Sequence, residues 1–168
     1  MRSFDLAALS ETYRVRRLGA EDIEEILALC RSNPQYYAYC GKETSAELIG
    51  QDMAVTPPGI PPEQKYYIGF FEDARLVAVM DLIDGYPEAD CAFIGFFMLR
   101  GELQGVGLGS KIVTEVFAYL REQKLVRCQL GIDKDNPQSN HFWQKNGFAV
   151  VREIAMEDGT ILLAERTL

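Results

Sequence analysis

The chain is poor in the residues that build metal and disulfide sites. It has one histidine, His141, and four cysteines, Cys30, Cys40, Cys91 and Cys128, none in C-x-x-C spacing. One histidine and dispersed thiols give no ligand cluster, so no metal site is expected. The cysteines read as buried or incidental thiols of a reducing compartment. No apolar run is long enough to span a bilayer. The start, Met1-Arg2-Ser3-Phe4-Asp5, lacks the apolar core of a signal peptide. The expected location is cytoplasmic, with no membrane partner. Positive charge is also short: 17 Lys and Arg stand against 25 Asp and Glu, a net charge of −8. A nucleic-acid binder needs a basic surface, so the balance argues against that class. The same balance would suit a cationic acceptor.

What is present is an ordinary apolar content, 48%, in 168 residues without a repeat. That is enough to bury one core without staples, so a single domain over 1–168 is expected. Residues 1–11 read as an extension or short helix. Thr12 to Leu18 alternates and reads as a strand. Ala20 to Cys30 has acids in its first turn and Ile23, Ile26, Leu27 and Cys30 at helical spacing. Tyr36, Tyr37 and Tyr39 follow, suited either to packing helix ends or to lining a pocket. Thr44 or Ser45 can cap a second helix to about Met53. Residues 56–64 hold four of the seven prolines and read as a connecting loop.

Three strands come next, Tyr66 to Phe71, Leu76 to Asp84 and Cys91 to Leu99, joined by short turns as an antiparallel meander. A helix from about Gly109 to Gln123 presents Ile112, Val113, Val116, Phe117 and Leu120 as one stripe. Leu125 to Ile132 is a strand, and this strand–helix–strand unit favours parallel pairing. Asn136-Pro137 starts a further helix, with Asn as cap and Pro at the first position, and Gly147 stops it. Phe148 to Ala155 and Ile161 to Thr167 pair across the Asp158-Gly159 turn.

The most informative stretch joins the third meander strand to its helix. Gln104-Gly105-Val106-Gly107-Leu108-Gly109-Ser110 places three glycines at alternate positions where a strand gives way to a helix. Such a turn can aim consecutive N–H groups at one spot, and the helix start adds its own unpaired donors. Together they suit a phosphate or pyrophosphate. The bland reading is a glycine-rich turn with no ligand. The order Gly109-Ser110-Lys111 is wrong for a P-loop, and the glycine spacing is wrong for G-x-G-x-x-G. A dinucleotide-binding protein is therefore a weak third reading.

Gln104 to Gly109 reads Q-x-x-G-x-G, and Asn136 to Phe148 reads N-x-x-S-x-x-F-W-x-x-x-G-F. Both resemble the acyl-CoA motifs of the GNAT N-acetyltransferase superfamily, and the order β, α, α, β, β, β, α, β, α, β, β resembles its fold over nearly the whole chain. The resemblance implies an α/β (α+β) fold with a mixed central sheet, a β-α-β acyl-CoA core and helices on both faces. It implies that Phe97, Met98 and Leu99 offer main-chain groups to pantetheine. Gln104, Gly105, Val106, Gly107, Leu108, Gly109 and Ser110 would hold the pyrophosphate. Asn136 would sit near the pantetheine, and Trp143 would flank the thiol end or pack in the core.

The implied activity is transfer of acetyl from acetyl-CoA to an amine of a small molecule or peptide, without metal. A homodimer is common in that family. The chain departs from the family where a tyrosine acid would stand, at Trp143, and where a glutamate base would stand, at Gly131. Indole N–H is no acid at neutral pH. Asp90 and Asp81 are the remaining base candidates. Tyr36, Tyr37, Tyr39 and Tyr86 are open as acids. The missing acid and base also suit a non-catalytic acyl-CoA sensor.

Overall fold

A computed structural model describes residues 1–168. Seven strands form one sheet in the order β1-β2-β3-β4-β5-β7-β6. They are β1 (Arg14–Arg17), β2 (Lys65–Glu72), β3 (Arg75–Asp84), β4 (Cys91–Leu99), β5 (Arg127–Asp133), β6 (Ala149–Met156) and β7 (Gly159–Thr167). β1 to β4 are antiparallel neighbours, β4 and β5 pair parallel, and β7 returns antiparallel to both β5 and β6. The parallel step follows from the helix that joins its strands, because a crossover helix returns the chain to the same sheet end.

The helices are α1 (Ile23–Arg31), α2 (Pro34–Cys40), α3 (Ala46–Ala54), α4 (Leu108–Glu122) and α5 (Pro137–Lys145). They cover both faces of the sheet. On one face α4 lays Ile112, Val113, Val116, Phe117 and Leu120 on Ile68, Phe70, Met80 and Ile94, with Trp143 of α5 and Phe4 and Leu9 of the N-terminal segment alongside. On the other face α1 and α3 bring Ile26, Leu29 and Ile49 onto Tyr67, Phe71, Val79 and Met98. Alternate residues of β3 serve the two faces, Met80 one and Val79 the other. This is why the strand reads as a continuous apolar run.

The antiparallel meander, the α4 stripe, the parallel β4–β5 step and the Asp158-Gly159 hairpin agree with the sequence reading. Residues 1–11 contain a short 3-10 helix, Leu6–Leu9, and the proline segment ends in another, Pro62–Gln64. Ser45 is the cap of α3, its Oγ accepting from Leu48 N–H at 3.2 Å. One element departs from expectation: the tyrosine segment is itself a helix, α2, so three helices rather than two stand between β1 and β2. Pro34 occupies its first turn, and Gly41 ends it in the left-handed region at φ 66°.

Candidate active site

The glycine stretch bends as its composition dictates. Gly105 and Gly107 have φ of 83° and 86°, values that a side chain would strain. The bend turns the chain into the first turn of α4. Across it, none of the main-chain N–H groups from Gly105 to Ser110 has a hydrogen-bond partner within the protein. Six donors beside a helix start make an anion seat. Gly109 serves a different purpose: a Cβ there would meet the Phe142 ring at 3.1 Å, so its absence lets α5 approach α4. Asn146 fixes that approach, donating from Nδ2 to Ser110 Oγ at 3.2 Å.

From this seat a groove of about 350 Å³ runs along Phe97, Met98 and Leu99 toward Trp143. It leads into a narrow cleft made by the sheet itself. β4 pairs with β5 only from Cys91↔Arg127 to Ile94↔Leu130. Beyond that point β4 stays on β3, with a register shift that leaves Gly95 extra, while β5 stays on β7 through Asp133. A bulge of this kind bends its strand. The two strands separate, and the edge of β4 facing β5 loses its strand partner. Gly95, Phe96, Gly131 and Asp133 line the opening, with Asn136 before α5, Ser139 and Trp143 of α5 and Tyr36 of α2.

Asn136 shows how one residue caps and still offers a donor. Its Oδ1 accepts from Ser139 N–H at 3.0 Å, starting α5. It is 1% exposed, and its Nδ2 is buried without a partner. A free donor at the cleft and six at the groove's head fit a ligand carrying both amide carbonyls and a pyrophosphate. Trp143 packs between Phe142, Phe148 and Phe97, with ring centroids at 4.8, 5.3 and 5.9 Å, and one edge remains on the groove.

Four of the expected site residues differ in role from expectation. Gln104 does not point its side chain at the anion seat. Its Nε2 donates to Leu99 O at 2.9 Å and to Asn33 Oδ1, and its Oε1 accepts from Gln138 Nε2 at 3.1 Å. It ties β4, α2 and α5 together. Leu99 borders the groove, but its carbonyl accepts from both Gln104 and Asn33 Nδ2, the latter at 3.1 Å. Val106 lies outside the lining, 75% exposed, and Leu108, also outside it, packs its side chain against the core.

The two expected carboxylates part company. Asp90 sits on the turn before β4 and pairs with Arg127 at 3.3 Å, away from groove and cleft. Asp81 lies behind the bulge, and its Oδ2 occupies the space a Gly95 side chain would take. It is paired with buried Lys65 at 2.7 Å, and Oδ1 has no partner. Burial pushes its pKa up while Lys65 pulls it down, and burial prevails. The carboxylate that lines the cleft is Asp133, at the end of β5. Sequence reasoning passed over it because it looks like a turn acid before Asn136, and in part it is one: its Oδ1 accepts from Asp135 N–H at 2.9 Å.

The α1–α2 junction was also unassigned from sequence, yet it holds one wall of the site. Gly101 approaches Ser32 so closely that a Cβ would sit 2.0 Å from the Ser32 carbonyl oxygen, and Gly101 N–H donates to Ser32 Oγ at 2.8 Å. With Asn33 bonded to Leu99, these contacts bring Tyr36 over the place where groove and cleft meet.

Residues 22–148 match the Acetyltransferase (GNAT) family. A curated relative, the 5-NmdU N-acetyltransferase of Pseudomonas phage PaMx11, is 32% identical over 79 residues, covering 47% of this chain. The chain spans about half the length of that relative, 52%. An acetyltransferase structure from Thermus thermophilus superposes with a TM-score of 0.75 at 24% identity, covering 94% of this chain and 97% of that one. The PaiA N-acetyltransferase of Thermoplasma acidophilum, solved with coenzyme A, gives 0.65 at 20% identity, covering 92% and 98%. No helix is long and apolar enough to cross a membrane, and no three His, Cys, Asp or Glu side chains group as metal ligands. With the donor arc, the parted strands and the family match over most of its length, the chain belongs to the acetyltransferase (GNAT) family.

Proposed function

We propose that this protein transfers an acetyl group from acetyl-CoA to a primary amine of a small molecule or peptide. The observation that carries the reading is the arc of six unpartnered N–H groups at the head of a groove that ends where β4 and β5 part. Gly105 to Ser110 would hold the pyrophosphate. The unpaired edge of β4 and Asn136 Nδ2 would hold the pantetheine amides, as a strand edge holds an added strand. Acetyl-CoA supplies an activated acetyl group.

The acceptor reaches the cleft from the side of α2 and the β6–β7 hairpin. Asp133 attracts its ammonium there; that ammonium gives one proton to water to become the neutral amine, and Asp133 takes up the second proton that the nitrogen loses as it attacks. Of the carboxylates considered, Asp133 alone lines the cleft, so the proposal rests on it rather than on Asp90 or Asp81.

The test is thiol release from acetyl-CoA with a panel of amines: polyamines, aminoglycosides, amino acids, N-terminal peptides and 5-NmdU. CoA affinity is measured in parallel by calorimetry. Release that depends on the amine is the expected result and names the acceptor class. A protein that binds no CoA overturns the reading. Tight CoA binding with no turnover on any amine would make it a non-catalytic acyl-CoA sensor instead.

A further inference from the structure

We infer that Tyr36 is the hydrogen-bond donor to the leaving sulfur, supplied from α2 across the groove from the position where Trp143 cannot serve as an acid. This rests on the acyl-CoA reading above.

Four residues line both the groove and the cleft: Tyr36, Phe97, Ser139 and Trp143. They mark the junction, the one place where a group carried along the groove meets an acceptor entering the cleft. Charge develops on sulfur there when the thioester breaks. The Phe97 side chain has nothing to donate. The Trp143 indole is wedged among three aromatic rings. Tyr36 and Ser139 remain, and a phenol is the more acidic and hence the stronger donor of the two.

Tyr36 is also held for the task. Its ring meets Tyr37 edge-on at 5.1 Å and Phe96 at 6.4 Å. No residue of α2 is fully buried, but Tyr36 and Tyr37 pack partly buried against the cluster under α1 and α3. Polar ties also hold the helix to the site: Asn33 to the Leu99 carbonyl and to Gln104, and Gly101 to Ser32. Tyr36 therefore moves with the end of β4 and the glycine loop. Gln104 and Leu99 in this set were expected at the site, and the ties give the Gln104 side chain a purpose.

The phenol's surroundings decide how it acts. Burial is the largest influence, and the Cys40 thiol on its own helix, the Asp133 carboxylate on β5 and the Cys30 thiol on α1 add to it; all raise the pKa above its ordinary value. An acid that weak does not give its proton up to a thiolate whose conjugate acid ionises near ~8.5. It stays neutral and donates a hydrogen bond, which is worth most when the acceptor is charged. In the step itself the amine nitrogen bonds to the carbonyl carbon. The C–S bond then breaks with its electron pair going to sulfur, and the amine's proton passes to Asp133 and on to water. Tyr36 keeps its proton, and solvent protonates the thiolate.

A binding experiment tests this without any acceptor. CoA and desulfo-CoA are titrated into the parent, Tyr36→Phe and Ser139→Ala at about pH 7 and about pH 9.5, either side of thiol ionisation. The parent is expected to prefer CoA by about tenfold at the higher pH and less at the lower, the size of one hydrogen bond to a charged group. Tyr36→Phe keeps the ring and should bring the ratio to about one without weakening desulfo-CoA. In turnover it should lower kcat by about tenfold to a hundredfold with KM for acetyl-CoA little changed. A preference that survives Tyr36→Phe, or that is lost in Ser139→Ala instead, overturns the assignment. So does a parent that shows no preference. Failure of all three proteins to bind either ligand overturns the acyl-CoA reading itself.

Discussion

The two halves of the proposed site are built from different materials. The donor half is main chain: a glycine arc, the open edge of β4 and a helix start, seated on the larger hydrophobic cluster of 28 residues with α4 and α5. The acceptor half is side chain: Asp133 at the end of β5, and Tyr36 of α2, which packs with α1 and α3 on a cluster of 11. Main-chain recognition needs particular glycines and little else, so its sequence pattern is compact. Side-chain recognition draws single residues from distant elements, and these can change without disturbing the donor half. The donor should therefore be common to many related chains while the acceptor varies.

The division is tested most severely by disabling one half and reading the other. Asp133→Asn keeps the Oδ1 that accepts from Asp135 N–H and so keeps the local turn. It should lower kcat/KM for the amine by about a hundredfold or more, the worth of a positioned base. CoA affinity should stay within about twofold, since the group lies on the acceptor side. Equal losses in CoA binding would show that the halves are not separable there.

Gly107→Val strikes the donor half. A β-branched residue at φ 86° is strained by about 1–3 kcal/mol. The loop will relax by turning its N–H groups away, weakening CoA by about tenfold to a hundredfold. The fold should hold, because nothing lies within 4 Å of the new Cβ. Unchanged CoA affinity on calorimetry would remove the arc from the site.

Gln104→Ala lies on the seam. The substitution removes the bridge between α2, β4 and α5 but leaves the glycine arc. A loss of kcat near tenfold with CoA affinity down about threefold is expected, because Tyr36 is loosened more than the arc. The reverse split would mean that Gln104 serves the donor directly.

How much of this was legible follows the same division. The order of strands, the α4 stripe and the glycine arc were readable because apolar period and glycine spacing are local signals. α2 carried local signals too. Asn33-Pro34 before it and Gly41 after it repeat the punctuation that announced α5 at Asn136-Pro137 and Gly147. It was missed because none of its residues is fully buried and no apolar period runs through it. Asp133 was illegible for another reason. It faces a cleft only because β5 leaves β4 after Leu130 to follow β7, and strand separation is a tertiary fact. Gln104 was found but its ties to Leu99, Asn33 and Gln138 were not, since a motif names a residue without naming its partners.

The smallest effect separates the two halves by acid. Arg16 of β1 braces the start of α1, its guanidinium donating to both oxygens of Asp22 at 2.8 and 2.9 Å while Gly19 N–H donates at 2.8 Å. These bonds, Arg16 first, hold the Asp22 carboxyl below its ordinary pKa against the cost of burial. A depressed pKa means that the folded state releases the proton more readily than the unfolded chain does. The stabilisation is therefore complete above the unfolded value near ~3.9 and is lost as pH falls through the lower folded value. Arg16 is more than a third exposed, so the brace is worth only on the order of 1 kcal/mol. Asp22→Asn should lower stability at neutral pH by about that much, and the gap to the parent should close under acid. Hydrogen exchange should show the loss confined to α1 and α3, with α4 unaffected, because the acceptor cover rests on the thinner cluster. A loss spread evenly over both faces would mean that the two halves stand or fall as one cooperative unit.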